Sequence, residues 1–457
     1  MRGARRPAYT RLMTLPQAVI TPADAGYDEA RAVYNAAHDK RPVAIVRAAG
    51  PDDVAATIAY ARGHDLPLAV RGGGHAIAGF GTCDGGIVLD LGPMRGVTVD
   101  AAARTVTAGG GCTWADLNEA THADGLATTG GIQSTTGIAG LTLGGGLGFL
   151  ARRYGLACDN LLGADVVLAD GRRVTADADH EPDLFWALRG GGGNFGVVTS
   201  FRFRLHPVSD VLGGLTCYPL DREVLAALRD LATGAEPELA VIPGVALGPP
   251  LPLLPERWHG RPIALAVTCH SGAAEQDDDV RKRLHEAGPI VGQFLERMPY
   301  PAVNTLFDAA LPAGLHHYWK GRFGELPDEA LDVHVAYGET LPCLQTATLL
   351  FPVDGAVHRV DPTATAFAVR DAPFASVYGA SWPDAADSTA NVAWSRAYDR
   401  ALAPYGDTAG YVNFLSVDDA DRIPASYRQN YSRLRSVKRA YDPENVFRIN
   451  QNIPPAG

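Results

Sequence analysis

No stretch of the 457-residue chain approaches the roughly 18 consecutive apolar residues that a membrane-crossing helix needs. Leu12 to Ile20, broken by Pro16, is too short for a secretory leader, so the expected location is the cytoplasm. Cysteine is sparse and scattered. Cys83, Cys112, Cys158, Cys217, Cys269 and Cys343 form no C-x-x-C pair, and only the adjacent Cys269-His270 brings a histidine near a thiol. That spacing excludes a redox pair and makes a metal site unexpected; the thiols are expected to be buried singly. Positive charge is also short: the formal net charge is −11, which excludes the basic face that nucleic acid requires. The chain has no G-K-[ST], hence no P-loop, and no repeat at a solenoid period.

What is present fits a folded globular protein, with 46% hydrophobic and 20% charged residues. The length exceeds one ordinary core, so two or three domains are expected. A helix is predicted over residues 28–38. Val43 to Arg47, a helix opened by Pro51-Asp52-Asp53, and Leu68 to Arg71 predict a β-α-β unit with parallel strands, followed by a strand over 86–90. Hairpins are predicted at 97–108 and at 165–175, the second turning on Asp170-Gly171. Helices are predicted at 114–123, 184–188 and 425–441, and a strand over 197–205. Beyond Pro207 glycines thin out and strands and helices lengthen, which marks a domain change.

Glycines cluster at 72–81, 137–148 and 190–196, each beside a predicted strand. The first cluster fails as a dinucleotide fingerprint. It leads from strand to strand instead of opening a long helix, and Asp90 ends the next strand. One such cluster is no more than a turn signal. Three in series suggest bare backbone N–H groups gathered around a phosphate and a planar ring.

The separated motifs R-G-G-G-H-A-I (71–77), G-I-A-G-L-T-L-G-G-G-L-G (137–148), R-R-Y-G-L-A-C-D-N (152–160), D-L-F-W-A-L-R-G-G-G-G-N-F-G-V-V-T (183–199) and Y-D-P-E-N-V-F-R-I-N-Q-N-I-P-P (441–455) occur in this order. Together they resemble the berberine-bridge-enzyme-like oxidoreductases of the vanillyl-alcohol-oxidase / p-cresol-methylhydroxylase flavoprotein superfamily. The resemblance implies an α+β fold. An FAD-binding domain of p-cresol-methylhydroxylase type, in two subdomains, would cover residues 1–210, with its glycine-loop core about 37–208. An antiparallel-sheet substrate domain would follow at 211–418, and residues 419–457 would return to the FAD domain.

The resemblance also implies site residues. His75 matches the histidine bonded to the flavin 8α carbon, a role that asks for a neutral imidazole. Many relatives add a cysteinyl bond from the segment matching 130–136, which here holds no cysteine, so attachment through His75 only is expected. Arg71, Gly72, Gly73, Gly74, Ala76, Ile77 and Gly81 would contact FAD from the first loop. Gly130, Gly137, Gly140, Thr142, Gly144, Gly145 and Gly148 would do so from the second, and Gly196 and Val198 from the third. Asn413, Asn450 and Asn452 would contact it from the tail. Tyr411, in Tyr411-Val412-Asn413-Phe414, matches the catalytic base of relatives with Y-x-N-Y, and Tyr154 matches an active-site tyrosine that would assist it. Tyr411 tilts the expectation to a hydroxyl rather than an amine substrate, because an amine-oxidising type of relative lacks it. The cluster Tyr318-Trp319-Lys320 is a candidate substrate wall.

The expected activity is therefore an FAD-dependent oxidase that passes a hydride from a small molecule to covalent flavin, with O2 as acceptor. A flavin dehydrogenase or an oxidative-cyclisation enzyme of secondary metabolism stays open, as does a non-catalytic flavin-fold binder.

Overall fold

The structure is a computed structural model that describes residues 18–457; the basic N-terminal stretch and the first part of the expected FAD domain lie outside the described residues. Strands β1 (Ala18–Ile20), β2 (Ala44–Arg47), β3 (Leu68–Arg71) and β4 (Ile87–Asp90) form a sheet in the order β1-β2-β4-β3. β2, β4 and β3 run parallel, and β1 is antiparallel to β2. The expected β-α-β unit is present, but β4 is inserted between its two strands. The helix Pro51–Gly63 starts well because proline occupies its first turn and Asp52 and Asp53 face the positive end of the helix dipole. Its Val54, Ile58 and Ala61 pack on Ala44, Val46 and Leu89.

The second sheet is antiparallel throughout. Strands β5 (Val97–Asp100), β6 (Thr105–Gly109), β8 (Leu161–Val167), β9 (Arg173–Asp177) and β10 (Val197–Arg204) lie in the order β5-β6-β10-β8-β9. A short pair, β7 (Leu126–Ala127) and β11 (His206–Pro207), closes its end. The helix Trp114–His122 begins at a capping box of Thr113 and Asp116 and buries Trp114 and Leu117 against this sheet.

The middle of the chain builds a third, antiparallel sheet. It contains β12 (Asp210–Pro219), β13 (Leu239–Leu247), β14 (Pro262–His270), β15 (Gly292–Pro299), β16 (His316–Gly324), β17 (Ala347–Pro352) and β18 (Phe374–Trp382). The order is β15-β12-β14-β13-β17-β18-β16. Helices Arg222–Gly234, Asp277–Glu286 and Asp328–Gly338 cover one face through residues such as Leu225, Leu284 and Leu331. The other face looks toward the first two sheets.

Two predicted helices are shorter than expected. The one over 28–38 ends at Arg31, because Ala32 turns extended and the chain crosses toward the third sheet. The one over 425–441 is interrupted: Ile423–Tyr427 stops where Arg428 takes φ +46°, and Tyr431–Tyr441 resumes after a short turn. The expected return of the chain at residue 419 begins earlier, since Val412 and Leu415 already share a core with Val198, Phe201 and Leu434.

That return is pinned by one buried cation. Lys438 Nζ donates to Asp442 Oδ2 at 2.7 Å, to Asn194 O at 2.7 Å and to Phe447 O at 2.9 Å, and both charged side chains are fully buried. Lys438→Met leaves Asp442 as a lone buried carboxylate. The expected loss is about 3–5 kcal/mol, read as a lower denaturant midpoint.

Candidate active site

The glycine loop after β3 lies against the loop that opens helix Ile138–Leu143. A Cβ on Gly73 would stand 2.4 Å from Gly137 N, and one on Gly137 would stand 2.3 Å from Gly73 N. These two glycines therefore let two backbones touch. Gly140 and Gly193 differ. Both line the cavity between the three sheets, and a Cβ there would meet nothing within 4 Å, so their open side is cavity space. The backbone N–H groups of Gly72 through Ile77 find no acceptor among the described residues, and all six residues line the same cavity. A run of unpaired donors beside open space suits an anionic group such as a pyrophosphate.

His75 projects from this run. Its ring lies between hydroxyls and an aromatic face: Thr135 Oγ1 is 3.1 Å from Nε2, Thr136 Oγ1 is 3.4 Å from Nδ1, and Tyr34 stacks at 4.1 Å. Burial lowers the His75 pKa to about 4, so the imidazole is neutral above that pH. Tyr34 stacks in turn on His317 at 4.9 Å, and His317 meets Trp319 edge-on at 5.1 Å. The neighbouring Asn35 is fully buried and bridges domains, donating from Nδ2 to Ile77 O at 2.7 Å and to His317 O at 2.9 Å. Tyr34→Leu removes the face that holds the imidazole. The protein so altered should carry less acid-stable flavin, measured as the ratio of pellet to total absorbance.

The second glycine cluster aims donors at a phenol. After Leu143 the chain turns through Gly145 at φ +123° and Gly146 at φ +92°, conformations that side chains rarely adopt. This turn presents Gly146 N–H at 2.8 Å and Leu147 N–H at 3.3 Å to the Tyr411 oxygen. Asn413 Nδ2 donates to the same oxygen at 2.8 Å and to Leu141 O at 3.1 Å. A Cβ on Gly144 would fall 2.1 Å from Asn413 Oδ1, so that glycine makes room for the amide. Burial pushes the Tyr411 phenol up to about 12, while the three donors pull it down.

Of the expected cofactor contacts, Arg71, Gly72, Gly73, Gly74, Ala76, Ile77, Gly81, Gly137, Gly140, Gly196, Val198, Asn413 and Asn450 line the cavity. Arg71 is held by Asp90 at 3.2 Å. Gly130, Thr142, Gly144, Gly145, Gly148 and Asn452 are not in its lining. Gly148 and Gly130 are glycines for packing: a Cβ on Gly148 would lie 1.6 Å from Gly130 O, and one on Gly130 would lie 2.4 Å from the Trp114 ring.

Three more of the expected residues stand outside the cavity lining. Tyr154 lies outside the cavity lining, stacked on His206 at 3.9 Å with Arg153 over its ring, and it is not among the partners of the Tyr411 oxygen. Tyr318 and Lys320 point away from the cavity. Lys320 Nζ reaches Asp418 and Asp419 at 2.9 Å each, and Tyr318 donates to Asp418. Strand alternation is the reason: in β16 only Trp319, between them, faces the cavity. Much of the 152–160 motif is likewise structural. Arg152 grips Asp354 at 2.6 and 2.9 Å, Asp159 grips Arg370 at 2.7 Å, and Asn160 pairs with His206 at 2.7 Å.

Sequence reasoning missed Tyr34, Gln133, Gln345, Ser381 and Gln451, which line the cavity. Gln451 lies inside the 441–455 motif and Gln133 inside the 130–136 segment, whereas Tyr34, Gln345 and Ser381 lie outside every quoted motif. No cysteine lines the cavity among the described residues, and Cys158 is fully buried, where its thiol is pushed well up.

A donor run beside open space, a neutral histidine and a donor-held phenol define a flavin site, and the residues present fit FAD. The family description "FAD binding domain" matches residues 42–177, and "Berberine and berberine like" matches residues 410–454. (R)-6-hydroxynicotine oxidase of Paenarthrobacter nicotinovorans is 32% identical over 458 residues, covering 96% of this chain and 97% of its own. An FAD-linked oxidoreductase of Dictyostelium discoideum is 31% identical over 91% of this chain and 89% of its own. The crystal structure of 6-hydroxy-D-nicotine oxidase from Arthrobacter nicotinovorans superposes with a TM-score of 0.86 at 30% identity, covering 97% of this chain and 99% of its own. Glucooligosaccharide oxidase from Acremonium strictum, studied for its 6-S-cysteinyl, 8α-N1-histidyl FAD, shares the fold with a TM-score of 0.86 at 23% identity, over 98% of this chain and 99% of its own. The chain belongs to the berberine-bridge-like FAD-linked oxidoreductases and is an enzyme with FAD as cofactor. No described helix is long and apolar enough to cross a membrane.

Proposed function

We propose that this chain is an oxidase that takes a hydride from a hydroxyl-bearing carbon of a small molecule, with O2 as final acceptor. FAD supplies the hydride acceptor and the route to O2, giving H2O2. The observation that carries the reading is Tyr411, a residue of the cavity lining whose oxygen accepts hydrogen bonds from Gly146, Leu147 and Asn413. A neutral phenol has two lone pairs, whereas three aimed donors match a phenolate. Tyr411 is thus built to hold negative charge while it accepts the hydroxyl proton of the substrate.

The remaining residues bind and position. His75 carries the flavin by a bond from its neutral imidazole to the 8α carbon, the type of linkage named for the Acremonium enzyme. Gly72 to Ile77 hold the pyrophosphate with their free N–H groups, and Asn450 offers a buried Oδ1 that lacks a protein donor. The apolar roof of β17 and β18 excludes water from the reacting carbon.

The testing experiment mixes the purified yellow protein with candidate alcohols under argon, then admits air. Flavin bleaching followed by stoichiometric peroxide supports an oxidase. Bleaching that persists in air until an artificial acceptor is added assigns a dehydrogenase instead.

A further inference from the structure

The half of the cavity under the seven-stranded sheet has a distinctive chemistry. Trp319 of β16, Leu349 and Phe351 of β17 and Val377 of β18 form its walls, with Phe307 and Phe414 closing the sides. No lysine, arginine, aspartate or glutamate stands among them. Arg71 is the sole such residue in the whole described lining; it belongs to the glycine loop and is already paired with Asp90. The polar side chains are mostly occupied. Ser381 Oγ accepts Trp319 Nε1–H at 2.9 Å and meets His317 Nδ1 at 2.8 Å, and Gln133 Nε2 donates to Leu311 O at 2.9 Å. The Gln345 side chain, in contrast, makes no hydrogen bond within the protein among the described residues.

A charged group brought between these walls would lose its hydration with no counter-ion to replace it. A polyhydroxylated sugar would leave most of its hydroxyls without partners. An aromatic or alicyclic ring would instead gain from aromatic walls. Building on the oxidase reading, which makes this half the substrate site, we propose that the substrate is an uncharged, mainly apolar ring compound whose polar substituent is recognised by the Gln345 amide.

The test is a binding titration of the flavin-loaded protein, followed through the visible flavin band, in parallel with bleaching. The probes are 2-naphthalenemethanol, its 6-carboxylate analogue, 2-methylnaphthalene and cellobiose. The neutral alcohol should bind at least about 100-fold more tightly than the carboxylate, and cellobiose should leave the band unchanged. Gln345→Leu should weaken the alcohol about fivefold without changing 2-methylnaphthalene, the loss of one neutral hydrogen bond. Gln345→Arg should improve the carboxylate at least about tenfold by supplying its missing counter-ion. Equal or tighter binding of the carboxylate or of cellobiose overturns the substrate class, and so does a band that no naphthalene probe perturbs. The two readings fail separately. Tight binding of the alcohol without bleaching upholds the class and counts against the oxidase, whereas bleaching by cellobiose does the reverse.

Discussion

A Tyr411→Phe enzyme is expected to reduce its flavin about 10²- to 10⁴-fold more slowly than the parent, with binding of substrate little changed, in anaerobic stopped-flow measurements. The substitution removes a single oxygen from a fully buried ring and leaves Gly146 N–H, Leu147 N–H and Asn413 Nδ2 in place. The fold and the flavin should therefore persist, which separates the loss of the base from a loss of structure. The pH profile gives the second signature. Burial pushes the Tyr411 phenol up to about 12 against the pull of its three donors. A base must be unprotonated, so its competent fraction rises with pH up to that value and falls as pH drops. Flavin reduction by the parent should climb steadily from about pH 6 to about pH 10 without a plateau. The Phe variant should be flat across the same window. A variant that kept both the rate and the slope would remove Tyr411 from the proton transfer.

The second large effect is on the cofactor itself. His75→Ala should yield a colourless pellet on acid precipitation, with all yellow colour in the supernatant, where the parent gives a yellow pellet. No cysteine lines the cavity among the described residues to take over the linkage. The variant should still bind FAD reversibly, since the free N–H groups of Gly72 to Ile77 remain. The sign of the pH effect follows from burial. The imidazole pKa is lowered to about 4, so the ring is already neutral throughout the range in which the protein is handled. The covalent fraction should not change between about pH 6 and about pH 9, whereas an ordinary histidine would lose nucleophilicity near about 6.5.

The parts of this molecule that could be read from the sequence are those whose chemistry is local. A histidine after three glycines, a proline and two aspartates opening a helix, and Asp-Gly between apolar runs each report on their own few residues. His75, the Pro51–Gly63 helix and the hairpin around Gly171 stand where local reasoning puts them. What failed depends on which way a face is turned. Tyr318, Trp319 and Lys320 look alike as a cluster, and only which face of β16 is turned to the cavity decides that Trp319 looks inward while Lys320 meets Asp419. Tyr154 is a similar case: its ring stacks on His206, distant in sequence, and it is not in the cavity lining. The glycines split likewise. Gly140 opens on the cavity, but Gly148 is small because it presses on Gly130 O, and Gly130 because it presses on the Trp114 ring.

Asn35 and Tyr34 have a consequence for how the mature enzyme is made. Tyr34 stacks on the His75 imidazole proposed to carry the flavin, yet its hydroxyl is tied to Leu311 O at 2.9 Å, and Asn35 Oδ1 accepts the backbone N–H of His317 at 2.9 Å. Both ties reach into the third sheet and its approach loop. A nascent chain whose middle region has not yet folded lacks them, and its His75 has no fixed partner ring. Maturation should then run in order: the domains dock first, and cofactor ligation follows as a proofreading step. In a population of newly synthesised chains, the acid-stable flavin would count the correctly assembled molecules and pass over the rest.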